Sequence, residues 1–149
     1  QEIEEIITLE ELTEIGERLL AVGVPIVVLT LGPNGAFLCT GDAAMLSRVP
    51  LAPADRSVWA NQRLFVPAFQ VDGPLNTTGA GDTFTAGLFT GMAQGISSLA
   101  EIARLAHCAS ALHVDLSQGA RTFAEVQAAL PTMQLREPAN PHLRAVCTT

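Results

Sequence analysis

Apolar residues along this chain recur at two spacings, and the change from one to the other marks out the elements. Leu9, Leu12, Ile15, Leu19 and Leu20 follow helical spacing, which predicts a helix with a single apolar stripe. Thr8, with Glu11 three residues on, makes a capping box at its start, and Gly23 ends it. The run Val24-Pro25-Ile26-Val27-Val28-Leu29-Thr30 is almost continuously apolar and rich in β-branched residues. That pattern predicts a strand buried on both faces of a parallel sheet, with Pro25 accommodated only at its first positions. A tight turn at Thr30-Leu31-Gly32-Pro33-Asn34-Gly35-Ala36 leads into a second strand over Ala36–Thr40.

Between residues 41 and 70 the pattern weakens. It suggests a turn at Gly41-Asp42, a strand over residues 44–49, a Pro-containing loop anchored by Trp59, and a strand over residues 64–71. A helix then runs from Asp82 to about Gln94 and stops at Gly95, with Gly87 and Gly91 one turn apart on a smooth face. Ser98 and Glu101 form a second capping box, ahead of a long helix with the small apolar face Leu99, Ile102, Ala103, Ala106, Ala109, Ser110 and Leu112. Residues 114–120 read as a loop. Thr122 and Glu125 cap a short helix over residues 123–130, ended by Pro131. Pro131, Pro138 and Pro141 in a polar stretch predict that residues 131–149 form a C-terminal tail, lying on the surface or disordered.

Composition narrows the function classes. With 149 residues, 48% of them hydrophobic, the chain can build one domain with its own core. No apolar run approaches the ~20 residues of a membrane span and no basic-then-apolar leader opens the chain, so a soluble protein with no membrane partner is expected. Cys39, Cys108 and Cys147 are widely spaced, as in a cytoplasmic protein with reduced thiols. The net charge of −7 is concentrated in residues 1–20, where seven glutamates face one arginine, so the rest of the chain carries only −1. All eight basic residues are arginines and there is no lysine, which excludes a Walker-type phosphate loop, a Schiff-base enzyme and a lysine general base. No basic cluster suggests nucleic acid. The chain opens on Gln1 in a Glu-rich segment without a capping signal and reads as the middle of a longer polypeptide.

The candidate chemistry gathers at Asn76-Thr77-Thr78-Gly79-Ala80-Gly81-Asp82-Thr83-Phe84. Gly79 and Gly81 let the backbone adopt positive φ and approach a ligand closely. The helix that follows begins with amide groups that have no internal partner. Such an end attracts phosphate, and Asp82 puts a carboxylate beside it. An ordinary first-turn aspartate complementing the helix dipole is the alternative reading of Asp82. The Thr30–Gly35 turn is likewise open to two readings, a plain hairpin or a nucleotide-facing wall. His107 is either a satisfied core histidine or a base contact, and His113 is read as a plain helical residue. A dinucleotide fingerprint would use Gly79-x-Gly81, but Phe84 replaces its third glycine and no acidic residue stands about 20 positions on, the nearest, Glu101, being a cap.

Residues 76–84 resemble the C-terminal signature of the ribokinase-like (PfkB) carbohydrate kinases, Asp-Thr-Thr-Gly-Ala-Gly-Asp-x-Phe, with Asn76 in place of the leading Asp. The resemblance extends over residues 8–130 and implies an α/β chain: the C-terminal part of a ribokinase-like fold, with parallel sheet strands, flanking helices and an antiparallel hairpin region at one edge. Residues 1–130 would form its nucleotide-binding and catalytic part. It implies ATP-dependent phosphoryl transfer to a sugar or sugar-like hydroxyl, with Asp82 as base and the amides of Gly79, Ala80 and Gly81 as the anion hole. Thr30, Gly32, Gly35, Thr78 and His107 would contact the nucleotide, and Asn76 and Thr78 a monovalent cation near a loop ending in Gly119-Ala120. ATP and Mg²⁺ are the implied cofactors. K⁺ activation would be weakened, because Asn76 offers a neutral carbonyl where the family has a carboxylate. Family members are about twice as long, so the implied partners are an N-terminal half carrying the sugar pocket or a homodimer mate. A non-catalytic nucleotide-binding or interaction module is the alternative function.

Overall fold

The computed structural model describes residues 3–116 and 121–144. In chain order its elements are α1 (Leu9–Ala21), β1 (Ile26–Thr30), β2 (Ala36–Thr40), α2 (Ala43–Leu46), β3 (Arg63–Val66), α3 (Ala80–Ala93), α4 (Leu99–Val114), α5 (Phe123–Ala129) and α6 (Pro141–Arg144), with short 3₁₀ turns between some of them. The capping boxes are formed as expected at α1, by Thr8 and Glu11, and at α5, by Thr122 and Glu125. Ser98 accepts from the Glu101 amide at the start of α4.

The sheet has the order β1-β2-β3 and is antiparallel throughout. This corrects the expectation of parallel strands, none of which occurs among the described residues. The turn after β1 is too short for a crossover: the Leu31 amide bonds the Gly35 carbonyl at 2.8 Å, and Thr30 pairs directly with Ala36. A parallel return requires a dozen or more residues. The burial expected for β1 belongs to its neighbour. All five residues of β2 are buried, whereas β1 is an edge strand with Val27 alone fully buried.

Helices cover both faces, so the core has two layers around β2. Phe37 and Cys39 point toward α1, packing with Leu12, Leu20 and Val27. Ala36 and Leu38 point the other way, toward Phe84 of α3 and Ile102, Ala103 and Ala106 of α4. Trp59 anchors the long loop, fully buried, its indole N–H donating to the Ser97 carbonyl at 2.6 Å. Burial pushes both described thiols up, Cys108 to about 11 and Cys39 in the same direction. No helix among the described residues is long and apolar enough to cross a membrane.

Two further expectations change. Residues 44–49 are not a strand: Asp42 accepts from the Met45 amide at 2.8 Å and caps α2. The strand expected over 64–71 stops at Val66, because Pro67 has no amide to continue the ladder. Residues 131–144 run along the surface but are anchored to the fold. Leu135 bridges Phe69, Leu143 is fully buried in the α1-side core, and Asn140, also buried, donates to the Ile7 carbonyl at 2.7 Å while its amide donates to Asn34 Oδ1 at 3.1 Å. The polar composition that suggested a tail contains one asparagine that satisfies the ends of three segments.

Helices α3 and α4 pack closely. A Cβ added at Gly87 would lie 2.8 Å from the Ala106 Cα, and one at Gly91 3.1 Å from Ile102 Cγ2. Gly87→Ala therefore loses more to overpacking than the ~1 kcal/mol it gains in helix propensity. Urea denaturation should find this variant destabilised by about 1 kcal/mol or more; equal or higher stability would mean the helices separate without cost.

Candidate active site

The loop before α3 is shaped by its own polar groups. Asn76 bonds the Val114 carbonyl through its amide at 2.9 Å, and its Oδ1 accepts from the Thr78 amide at 3.1 Å. The Ala80 amide donates to the Thr77 carbonyl at 3.1 Å, closing a turn that puts Gly79 at φ 80°, ψ 2° as the N-cap of α3. That left-handed conformation suits glycine. Thr83 then binds the Gly79 carbonyl through both its amide and its hydroxyl, each at 2.9 Å.

This arrangement leaves the amides of Gly79, Gly81 and Asp82 without a partner among the described residues. Of the three amides expected as an anion hole, that of Ala80 is engaged in the turn, and the neighbouring Asp82 amide has no partner among the described residues. The Asp82 carboxylate is exposed and forms no hydrogen bond or ion pair among the described residues. The contrast with the other helix starts is instructive. Glu11 and Glu125 occupy the same third helical position and reach back to the amides of Thr8 and Thr122 at 2.8 and 2.7 Å. Asp82 makes no such bond, so both it and the Gly79 amide stay available.

Behind this loop lies a cavity of about 590 Å³. Thr30, Gly32 and Gly35 form one wall, and Ala80, Gly81 and His107 another. Gly35, at φ 128°, is required there, because a Cβ would stand 2.3 Å from the Val66 carbonyl oxygen. Asn76, Thr78, Gly79 and Asp82 do not line the cavity themselves; the first three sit on the loop before α3 and Asp82 in its first turn, next to the lining residues Thr77, Ala80 and Gly81. Among the wall residues, Phe69 and Arg136 are two that the sequence did not single out. Arg136 came in with the C-terminal segment, whose contact with residues 68–70 leaves no short-range signature; its amide bonds the Ala68 carbonyl at 2.8 Å.

His107 is the polar centre of the cavity wall. It is buried, with its ring tilted against Phe84 at a centroid distance of 4.7 Å. Burial lowers its pKa to about 4, while a hydrogen bond to the Val66 backbone pulls weakly the other way. The imidazole is therefore neutral at pH 7. A carbonyl can only accept, so the proton sits on the nitrogen facing Val66. The other nitrogen, Nε2, is a buried acceptor with no partner, an arrangement that normally costs stability unless something binds there.

No group of three His, Cys, Asp or Glu side chains able to hold a metal gathers among the described residues. The Gly119-Ala120 loop implicated in a monovalent-cation site lies outside them.

Comparison with known proteins agrees with this architecture. The chain is similar to a fructokinase from Vibrio cholerae O395 whose crystal structure was solved with fructose, ADP and calcium ion bound, with 25% sequence identity and a TM-score of 0.51. The match covers 79% of this chain and 34% of the fructokinase, so the chain spans about a third of that enzyme's length. The family model described as pfkB family carbohydrate kinase matches residues 2–125. The chain belongs to the pfkB family of carbohydrate kinases.

Proposed function

We propose that this chain is the nucleotide-binding and phosphoryl-transfer part of an ATP-dependent kinase acting on a sugar or sugar-like hydroxyl. The observation that carries this reading is the start of α3, where three amides and a carboxylate, none with a partner among the described residues, share one turn beside a cavity. The amides of Gly79, Gly81 and Asp82 would meet the charge that develops on the transferred phosphoryl group, as donors do in an oxyanion hole. Asp82 would orient the acceptor hydroxyl and take its proton. In a loose transition state that proton leaves late, so orientation matters as much as basicity.

The cavity suits the nucleoside. Apolar Phe69 and Phe84 offer surfaces to a base, and the neutral Nε2 of His107 is an acceptor for an exocyclic amino group such as that of adenine. Mg²⁺ would enter with ATP, held mainly by phosphate oxygens and water. The sugar contacts would come from residues outside this chain, in keeping with its coverage of 34% of the fructokinase. That same coverage favours a second reading, a nucleotide-binding module that does not itself catalyse.

Asp82→Asn separates the two. In the kinase reading, turnover in an ADP-release assay with a panel of hexoses and pentoses falls at least about 100-fold, the usual scale for a lost general base. ATP affinity by calorimetry stays nearly unchanged. Near-normal turnover would refute the base assignment.

His107 also sets a pH dependence. Above pH 6.5 the ring is neutral whether folded or unfolded; below it the unfolded chain takes the proton first, because the folded value lies at about 4. Stability should fall as pH drops from 6.5 toward 4, by roughly 2–3 kcal/mol from this group. Urea denaturation at pH 7 and 4.5 should show a smaller loss for His107→Phe than for the unsubstituted chain. Equal losses would mean His107 is not the group responsible.

With Asn76 neutral, potassium should activate only weakly. Activity titrated with potassium against a bulky organic cation tests this, and strong potassium dependence would contradict it.

A further inference from the structure

We propose that His113 is a positioning residue for the anion-binding loop: from α4 it holds the carbonyl of Thr78 and so fixes which way the Gly79 amide faces. The inference rests on the nucleotide reading above and assigns a role to a side chain outside the cavity lining.

His113 Nε2 lies 3.0 Å from the Thr78 carbonyl oxygen. That oxygen can only accept, so Nε2 carries the proton. The Thr78–Gly79 peptide is trans, as are all described peptide bonds, and in a trans peptide the C=O and the N–H point in opposite directions. Binding the Thr78 carbonyl toward α4 therefore turns the Gly79 N–H away from α4, where it has no partner among the described residues. Glycine tolerates several orientations of its flanking peptides, so at Gly79 the backbone alone does not choose between them. The hydrogen bond from His113 does.

Two further observations support this role. Ser110, one turn earlier on the same face of α4, donates to the Ala80 carbonyl at 3.0 Å. Two side chains of one helix thus bind two carbonyls of the same turn. The fit is also close: a Cβ at Gly79 would come within 3.0 Å of His113 Nε2, so the ring rests directly against the glycine whose amide it orients. A histidine in the last turn of α4 could instead serve only to complement that helix's dipole. The two roles differ in what replaces it, since glutamine keeps a donor without a cationic form.

The side chain is exposed, so substitution should leave the thermal midpoint near that of the unsubstituted chain. The test combines ¹⁵N relaxation of the Gly79 and Gly81 amides in the ligand-free chain with calorimetric titration of ATP and adenosine. His113→Phe should increase the motion of the Gly79 amide and weaken ATP binding about fivefold, the scale of one exposed hydrogen bond. Adenosine affinity should be unchanged, and His113→Gln should restore both properties. Unchanged relaxation in His113→Phe would overturn the positioning role whatever the nucleotide does. A mobilised loop with unchanged ATP affinity, or failure of glutamine to rescue, would overturn its link to the anion. If the unsubstituted chain binds neither ATP nor adenosine, the nucleotide reading itself fails and the anionic role with it. The relaxation data then report separately whether His113 holds the loop.

Discussion

The close approach of α3 and α4 is the constraint on which the rest of this structure depends. Where Gly87 meets Ala106 there is no room for a single methyl group. That contact carries the first turn of α3 against the second half of α4, so Phe84 meets His107, the Ala80 carbonyl meets Ser110, and the Thr78 carbonyl meets His113. Positions 107, 110 and 113 are three apart and lie along one side of a helix. A slightly wider spacing between the helices would lengthen every one of these contacts together.

The helix starts show how stability and availability are traded at one position. In α1 and α5 a threonine cap and a glutamate three residues on satisfy each other's backbone, which is how a helix end is usually stabilised. In α3 the cap is a left-handed glycine with no side chain and the acid is an aspartate that does not fold back. The turn is held instead by its own Asn76 and Thr83 and, from α4, by Ser110 and His113. Support from neighbouring side chains lets the amides stay open, which a self-capped helix would not permit.

The opposite wall depends on a different device. The turn at Gly32–Asn34 is tied through Asn34 to the carbonyl of Glu4 at 3.0 Å and to the amide of Asn140 at 3.1 Å. Segments more than a hundred residues apart in sequence thereby set one side of the cavity. The buried asparagines have few alternatives once their partners are in place, because an unmatched amide in that position is costly. Arg136 reaches the cavity as a consequence of the same arrangement.

Local signals carried much of this. The capping boxes of α1 and α5, the Ser98 cap of α4 without its reciprocal Glu101 bond, the glycine stops and the second strand were legible, since each depends on residues within a few positions of one another. The run at residues 76–84 likewise announced a glycine turn opening a helix, because glycine conformation and helix ends are short-range properties. Sheet direction was legible only in part: an apolar run has the same appearance whether its neighbour is parallel or antiparallel, and only the tight turn at residues 30–36, one reading of which was a hairpin, pointed to the antiparallel pairing seen here. The asparagine that docks the last segment and the arginine it delivers were invisible for the same reason, as their partners are remote in the chain. His107 and His113 illustrate the division most directly. Both are helical histidines six residues apart, and nothing local distinguishes them. Only the packing of α4 buried one with an unpartnered acceptor in the cavity and set the other, exposed, against the backbone of the glycine turn.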